Sequence, residues 1–290
     1  MAGIRKAICA GRFYPGSRSA CEAMAEELLS GAAAQSAVGA IVPHAGWIYS
    51  GATAARGVVG VAGCGPEVVV IFGSVHVPVA NRASLYPGGA WETPLGLVEV
   101  DGELAGRLAG CRDVEVDAGA HRMEHSIEVQ LPLLQMVLPG VKVVPMMVLP
   151  GMWAEGIGRE CARVAVEERG AVGFLGSTDL THYGPAFGFE PAGRGAKGVA
   201  WARDVNDRRL VELIRGMDAA GVIREAEVHR SACGAGAVAA MIGAMGELGA
   251  TQYVELEHRT SAECKVMGTE DGQNSVGYEA GVFLRPGEAI

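Results

Sequence analysis

Short, nearly continuous apolar runs recur along this chain, and helical stretches separate them. The runs cover residues 38–42 (VGAIV), 67–72 (EVVVIF), 97–100, 142–149 (KVVPMMVL), 171–176 (AVGFLG), 251–257 and 275–284. Their length and apolar, β-branched character are those of strands covered on both faces. Helical stretches are expected at residues 153–168, 199–215 and 233–248, the last glycine-rich enough to pack closely against a neighbour. Ser19 with Glu22 predicts the start of an earlier helix ending before Gly31, and Ser126 predicts the cap of one running to residue 138, delayed by Pro132. Strands alternating with helices predict an α/β fold, layered α/β/α, around a central mostly parallel or mixed sheet. Residues 78–96, rich in Gly and Pro, read as a long loop or hairpin excursion. No Pro/Ser-rich or highly charged linker divides the chain, so residues 1–290 are expected to form one domain.

Composition narrows the function classes. With 49% hydrophobic and 20% charged residues there is ample material for a core. No apolar run approaches the ~18 residues that a membrane-spanning helix needs. The opening MAGIRKAICAGRFYPGS is broken by Gly11 and Arg12, too early for a secretory core, so a cytoplasmic protein is expected. The formal net charge is −9 and no dense Lys/Arg cluster occurs, which argues against nucleic acid as a partner. The 7 cysteines are scattered and never form CxxC, so neither a disulfide framework nor a zinc ribbon is expected.

Chemistry is expected where strands end, because open α/β sheets bind ligands beyond the carboxyl ends of their strands. Three runs end alike. VGAIV leads into Pro43-His44-Ala45-Gly46, EVVVIF into Gly73-Ser74-Val75-His76, and AVGFLG into Ser177-Thr178-Asp179-Leu180-Thr181-His182. If those strands are parallel and adjacent, His44, His76, Asp179 and His182 meet on one edge. Imidazoles and a carboxylate in one cleft match the ligands of non-haem iron, zinc or copper.

Two further segments are more polar than folding requires. His229-Arg230-Ser231-Ala232-Cys233-Gly234 precedes the glycine-rich helix, whose positive end would favour the Cys233 thiolate. His121-Arg122-Met123-Glu124-His125 fits H-x-x-E-H, an inverted zinc-protease pattern. That chemistry needs both histidines on one helical face, whereas Ser126 as a cap would place both before the helix.

Several blocks together resemble the Memo family: GRFYPGS (residues 11–17), PHAGWIYSG (43–51), EHSIEVQLP (124–132), STDLTHYG (177–184), ACG (232–234) and NSVGYEAGVF (274–283). They stand in the family's order and span nearly the whole chain. In bacteria and archaea such proteins are similar to component B of the AmmeMemoRadiSam system, which implies a radical-SAM protein and an AMME-syndrome-type protein as partners. The resemblance also implies a fold like that of class III extradiol dioxygenases, which are non-haem Fe(II) enzymes. In animal relatives the pocket is associated with redox metal binding and with docking of phosphotyrosine peptides. Carried over by residue, the resemblance makes His44, His76 and Cys233 metal ligands, with Asp179 and His182 acting on substrate or behind the ligands. Two departures stand out. Val77 replaces a second histidine after His76, and Ala235-Gly236 stand where animal relatives carry Arg and His, which counts against phosphate binding.

The expected activity is that of a non-haem iron oxidoreductase, with Fe(II) the first choice and Cu or Zn the alternatives. His182 would be the general base and Asp179 would hold its tautomer. Phe13, Tyr14, Trp47 and Tyr183, with His125, are expected to wall a pocket for a small, aromatic or planar ligand. The alternatives are a non-enzymatic metal carrier, a peptide- or protein-binding module with a vestigial pocket, and the protease.

Overall fold

The computed structural model describes residues 3–33, 36–264 and 272–288. Its strands are β1 (Ile4–Arg5), β2 (Gly39–Val42), β3 (Val68–Gly73), β4 (Ala83–Leu85), β5 (Gly89–Thr93), β6 (Gly96–Val100), β7 (Val114–Val116), β8 (Lys142–Val148), β9 (Val172–Ser177), β10 (His182–Tyr183), β11 (Gln252–Thr260) and β12 (Ser275–Leu284). The helices are α1 (Arg18–Ser30), α2 (Trp47–Ala62), α3 (Gly102–Leu108), α4 (Leu131–Val137), α5 (Ala154–Arg169), α6 (Ala196–Trp201), α7 (Arg208–Arg215), α8 (Ala219–His229) and α9 (Ala235–Glu247).

The strands join one mixed sheet in the order β1-β5-β6-β8-β3-β9-β2-β12-β10. Its centre is parallel: β8, β3, β9 and β2 lie side by side and run the same way. β12 closes one flank antiparallel to β2 and carries β11 outside it, while the β5–β6 hairpin closes the other. Alternation along β3 shows why its run is wholly apolar. Val68, Val70 and Phe72 enter the core shared with α3, α5, α8 and α9, and Val69 and Ile71 enter the core shared with α1, α2 and α4. The result is the expected α/β/α layering around a mixed sheet.

Several local expectations are corrected. The cap of α1 is Ser17, whose hydroxyl accepts from Ala20 N, not Ser19. Ser126 caps no helix: it is buried, and a 3-10 turn at Glu128–Gln130 leads into α4, which takes Pro132 in its first turn where no N–H is missed. The stretch expected as one helix from residue 199 is α6 and α7 joined by a wide π-turn, Ala202–Asp207. Residues 78–96 hold β4 and the first strand of the β5–β6 hairpin, the excursion expected there, whereas α8 has no counterpart in the expectations.

Candidate functional site

β3, β9 and β2 are immediate neighbours, so the three strand ends carrying the chosen histidines open onto one edge. Beyond that edge His44, His76 and His125 each offer a ring nitrogen within 4.8 Å of the others, a group able to hold a metal ion. The Cys233 sulfur stands 3.2 Å from His44 Nε2, beside that trio. His125, expected only as a pocket wall, thus also joins the imidazole group, its ring 4.6 Å from that of His76 and 5.3 Å from that of His44.

Two supporting hydrogen bonds decide which nitrogens are available. The Ser177 hydroxyl donates to Ser126 O at 2.8 Å, which uses its only proton. It must therefore accept from His44 Nδ1 at 2.9 Å, leaving the His44 Nε2 lone pair directed at Cys233. His76 Nδ1 donates to Glu124 Oε1 at 2.9 Å, and His76 N donates to the other oxygen at 2.7 Å. Glu124 accepts further from the N–H groups of His125 and Ser126. This pattern of imidazoles oriented by a hydroxyl and a carboxylate is how metal-binding histidines are held. The donor set fits a transition-metal ion: imidazole suits iron, copper and zinc alike, and a thiol adds a soft donor.

Electrostatics follow from burial and crowding. Burial, then the neighbouring histidines His76, His125 and His182, push His44 well below its ordinary value. Burial first and His76 second bring His125 and His182 down to about 4. His76 goes the other way: burial opposes its charge, but Cys233 and Glu124 outweigh it and raise the group to about 10. Burial would raise Glu124, yet its hydrogen bond with His76 holds it down to about 2. Asp179 is pushed up to about 7 by burial.

Asp179 does not hold His182 as expected. Its carboxylate accepts from the backbone N–H of His44 at 2.7 Å. His182 Nε2 is buried with no hydrogen-bond partner among the described residues, and its ring meets Phe187 edge-on at 5.0 Å. Cys233 lies just before Gly234, the residue that precedes α9, so it is outside the helix proper. Its N–H donates to Asp179 O, and the Asp179 N–H points at its sulfur at 3.3 Å. Gly234 is required there, because a Cβ would collide with the Ser74 hydroxyl and Ser177 O.

A cavity of about 500 Å³ adjoins the cluster, lined by Phe13 and His125 of the expected wall and by Asp179 and His182. Tyr49, Phe187 and Tyr278 complete its aromatic walls, and no Lys or Arg lines it among the described residues. Three expected wall residues belong to the core instead. Tyr14 donates to Glu128, Trp47 donates to Val129 O, and the Tyr183 hydroxyl donates to Gly193 O, and all three are buried. Tyr49 was legible: two residues after Trp47 on a helix, it points to the other side. The protease pattern dissolves, because His121 Nε2 bonds Ser84 O, its ring packs on Tyr86 and Trp91, and Glu124 serves His76.

No helix among the described residues is long and apolar enough to cross a membrane. The family described as Memo-like protein matches residues 5–282. A MEMO1 family protein of Thermococcus onnurineus is 33% identical over 97% of this chain and all of its own length. One of Methanopyrus kandleri is 39% identical over 85% of this chain and 83% of its own. The solved structure of an uncharacterized Escherichia coli K12 protein superimposes with a TM-score of 0.43 at 12% identity, covering 83% of this chain and 98% of that one. That likeness is loose and adds nothing to the fold. The family match and the curated relatives cover nearly all of the sequence that builds the histidine cluster, and the chain belongs to the Memo family.

Proposed function

We propose that the protein binds a redox-capable transition-metal ion, Fe(II) before Cu or Zn, on His44, His76 and Cys233 with His125 beside them, and oxidises a small aromatic substrate. The observation that carries this reading is the meeting of three imidazoles and a thiol at an aromatic-walled cavity. Bound there, such an ion supplies Lewis acidity and, for iron or copper, one-electron chemistry that the side chains lack.

The chain's own residues do the rest. Phe13, Tyr49, Phe187 and Tyr278 hold a planar ring and exclude water. His182, kept neutral by burial and by His76 and Arg230, presents an uncharged imidazole to the cavity. Asp179, raised to about 7, is the group matched to taking and returning a proton near neutral pH. The aromatic walls formed by Phe13, Tyr49, Phe187 and Tyr278 favour a planar aromatic hydroxyl as the ligand. On family grounds the proposal also takes a radical-SAM protein and an AMME-syndrome-type protein as partners.

The second reading, a metal carrier, is favoured by the number of donors, since a trio plus a thiol could close the coordination sphere. Anaerobic purification without chelator, metal quantification and oxygen uptake with hydroxylated aromatics separate the two. The proposal expects stoichiometric iron and substrate-dependent uptake, both lost in His44→Ala and Cys233→Ala. Zinc or copper without uptake would favour the carrier, and metal no higher in wild type than in those variants would overturn both.

A further inference from the structure

Asn206 and Asp207 sit on the π-turn between α6 and α7, away from the donor cluster. Side chains one residue apart on a regular α-helix diverge by about 100°. The wider turn at Ala202–Asp207 brings both to the inside, and both are fully buried. Single π-turns within α-helices often mark functional sites.

What these two side chains touch is specific. The Asn206 amide donates to Thr181 Oγ1 at 3.0 Å and to His229 O at 2.9 Å. Thr181 lies in the loop between Asp179 and His182, and His229 opens the segment that carries Cys233. Asp207 Oδ1 accepts from Thr181 N at 3.0 Å, and its other oxygen pairs with buried His258 at 3.1 Å. β12 braces the same loop from its other edge, through Leu180 N to Gly277 O and Gly277 N to Thr181 O. One amide therefore ties the loop bearing Asp179 and His182 to the segment bearing Cys233.

We infer that Asn206 is a positioning residue that fixes Cys233 relative to Asp179 and His182, with the π-turn as the device that delivers it. It touches neither donor and acts only through Thr181 and His229. The Co(II) part of the test below rests on the metal-binding reading, and the thiol part does not.

The test compares wild type with Asn206→Leu, which keeps the bulk and removes both donated bonds, and with Thr181→Val, which removes one acceptor and keeps the shape. Tyr253→Phe is the control, losing a buried hydroxyl bonded to Glu279 that touches neither loop. Metal-free proteins are alkylated with iodoacetamide and Cys233 is followed by peptide mapping. Each is then titrated with Co(II), read by the thiolate-to-metal absorption band. Cys233 should react about fivefold faster in Thr181→Val, the factor one lost hydrogen bond implies for local opening, and at least that much faster in Asn206→Leu, which loses two. Co(II) affinity should fall about tenfold with a displaced band. The control should match wild type in both. Wild-type alkylation and affinity in the loop variants would overturn the inference, as would equal changes in Tyr253→Phe. A wild type that takes no Co(II) removes the metal reading, and the alkylation rates still decide the positioning. Should Asn206→Leu fail to fold, Thr181→Val is judged by the same criteria.

Discussion

Ser177 decides which nitrogen of His44 is free. Because its proton is committed to Ser126 O, it can only accept from Nδ1, and the tautomer follows from that one bond. Ser177→Ala should therefore leave the fold intact and weaken metal binding by about 10- to 100-fold, the usual cost of losing such a partner. Competition with a chromophoric chelator measures it, and unchanged affinity would mean the ring is held by packing alone. Residue types at strand ends were enough to single out His44 and His76, and a thiol before a glycine-rich helix singled out Cys233, because donor chemistry is written in the side chain itself. Glu124 was read as part of a protease pattern, and its actual bond to His76 depends on how a loop folds back, which spacing does not encode. Tyr14, Trp47 and Tyr183 mislead for a related reason: an aromatic beside a site serves the core equally well, and only its hydroxyl or indole partner tells the two apart.

At the scale of elements, the parallel strands were legible because burial on both faces leaves them almost wholly apolar. The helices were less so. α8 carries Arg224, Glu225 and Glu227 among its apolar residues, and the π-turn has no signature beyond the side chains it turns inward. The expected close packing of the glycine-rich helix has a definite contact: a Cβ at Gly158 of α5 would run into the backbone carbonyl of Ala240 in α9. Backbone cannot move aside as a side chain can, so Gly158→Ala should lower unfolding free energy by about 1–3 kcal/mol in a urea titration. Gly156, two residues earlier, faces open space, and Gly156→Ala should instead stabilise by about 0.5–1 kcal/mol through helix propensity. If both substitutions cost the same, the helix crossing is looser than these contacts require.

Across the whole molecule, the histidine cluster ties stability to pH. His44, His125 and His182 are depressed below the ordinary 6.5, the last two to about 4, mainly by burial. Between those values the unfolded chain binds protons that the folded chain refuses, so stability falls as pH falls. Their contribution is full above 6.5 and lost on acidification through about 4. Glu124, held near 2 against an ordinary 4.5, adds a further loss below 4.5. His76 and Asp179, raised to about 10 and about 7, act oppositely: their stability is complete below 6.5 and 3.8 and disappears as pH rises through the folded values. Chelator-treated protein should therefore lose thermal stability between pH 6.5 and 4, after the loss of Asp179's contribution near 7 has begun to reverse. Replacing His125 and His182 together by Gln removes two of the reluctant protons without adding charge. The double variant should show a shallower fall in melting temperature across that interval than wild type. An identical slope would mean that the acid sensitivity arises outside the cluster, and that the neutral imidazoles there are solvated well enough to titrate as they do in the unfolded chain.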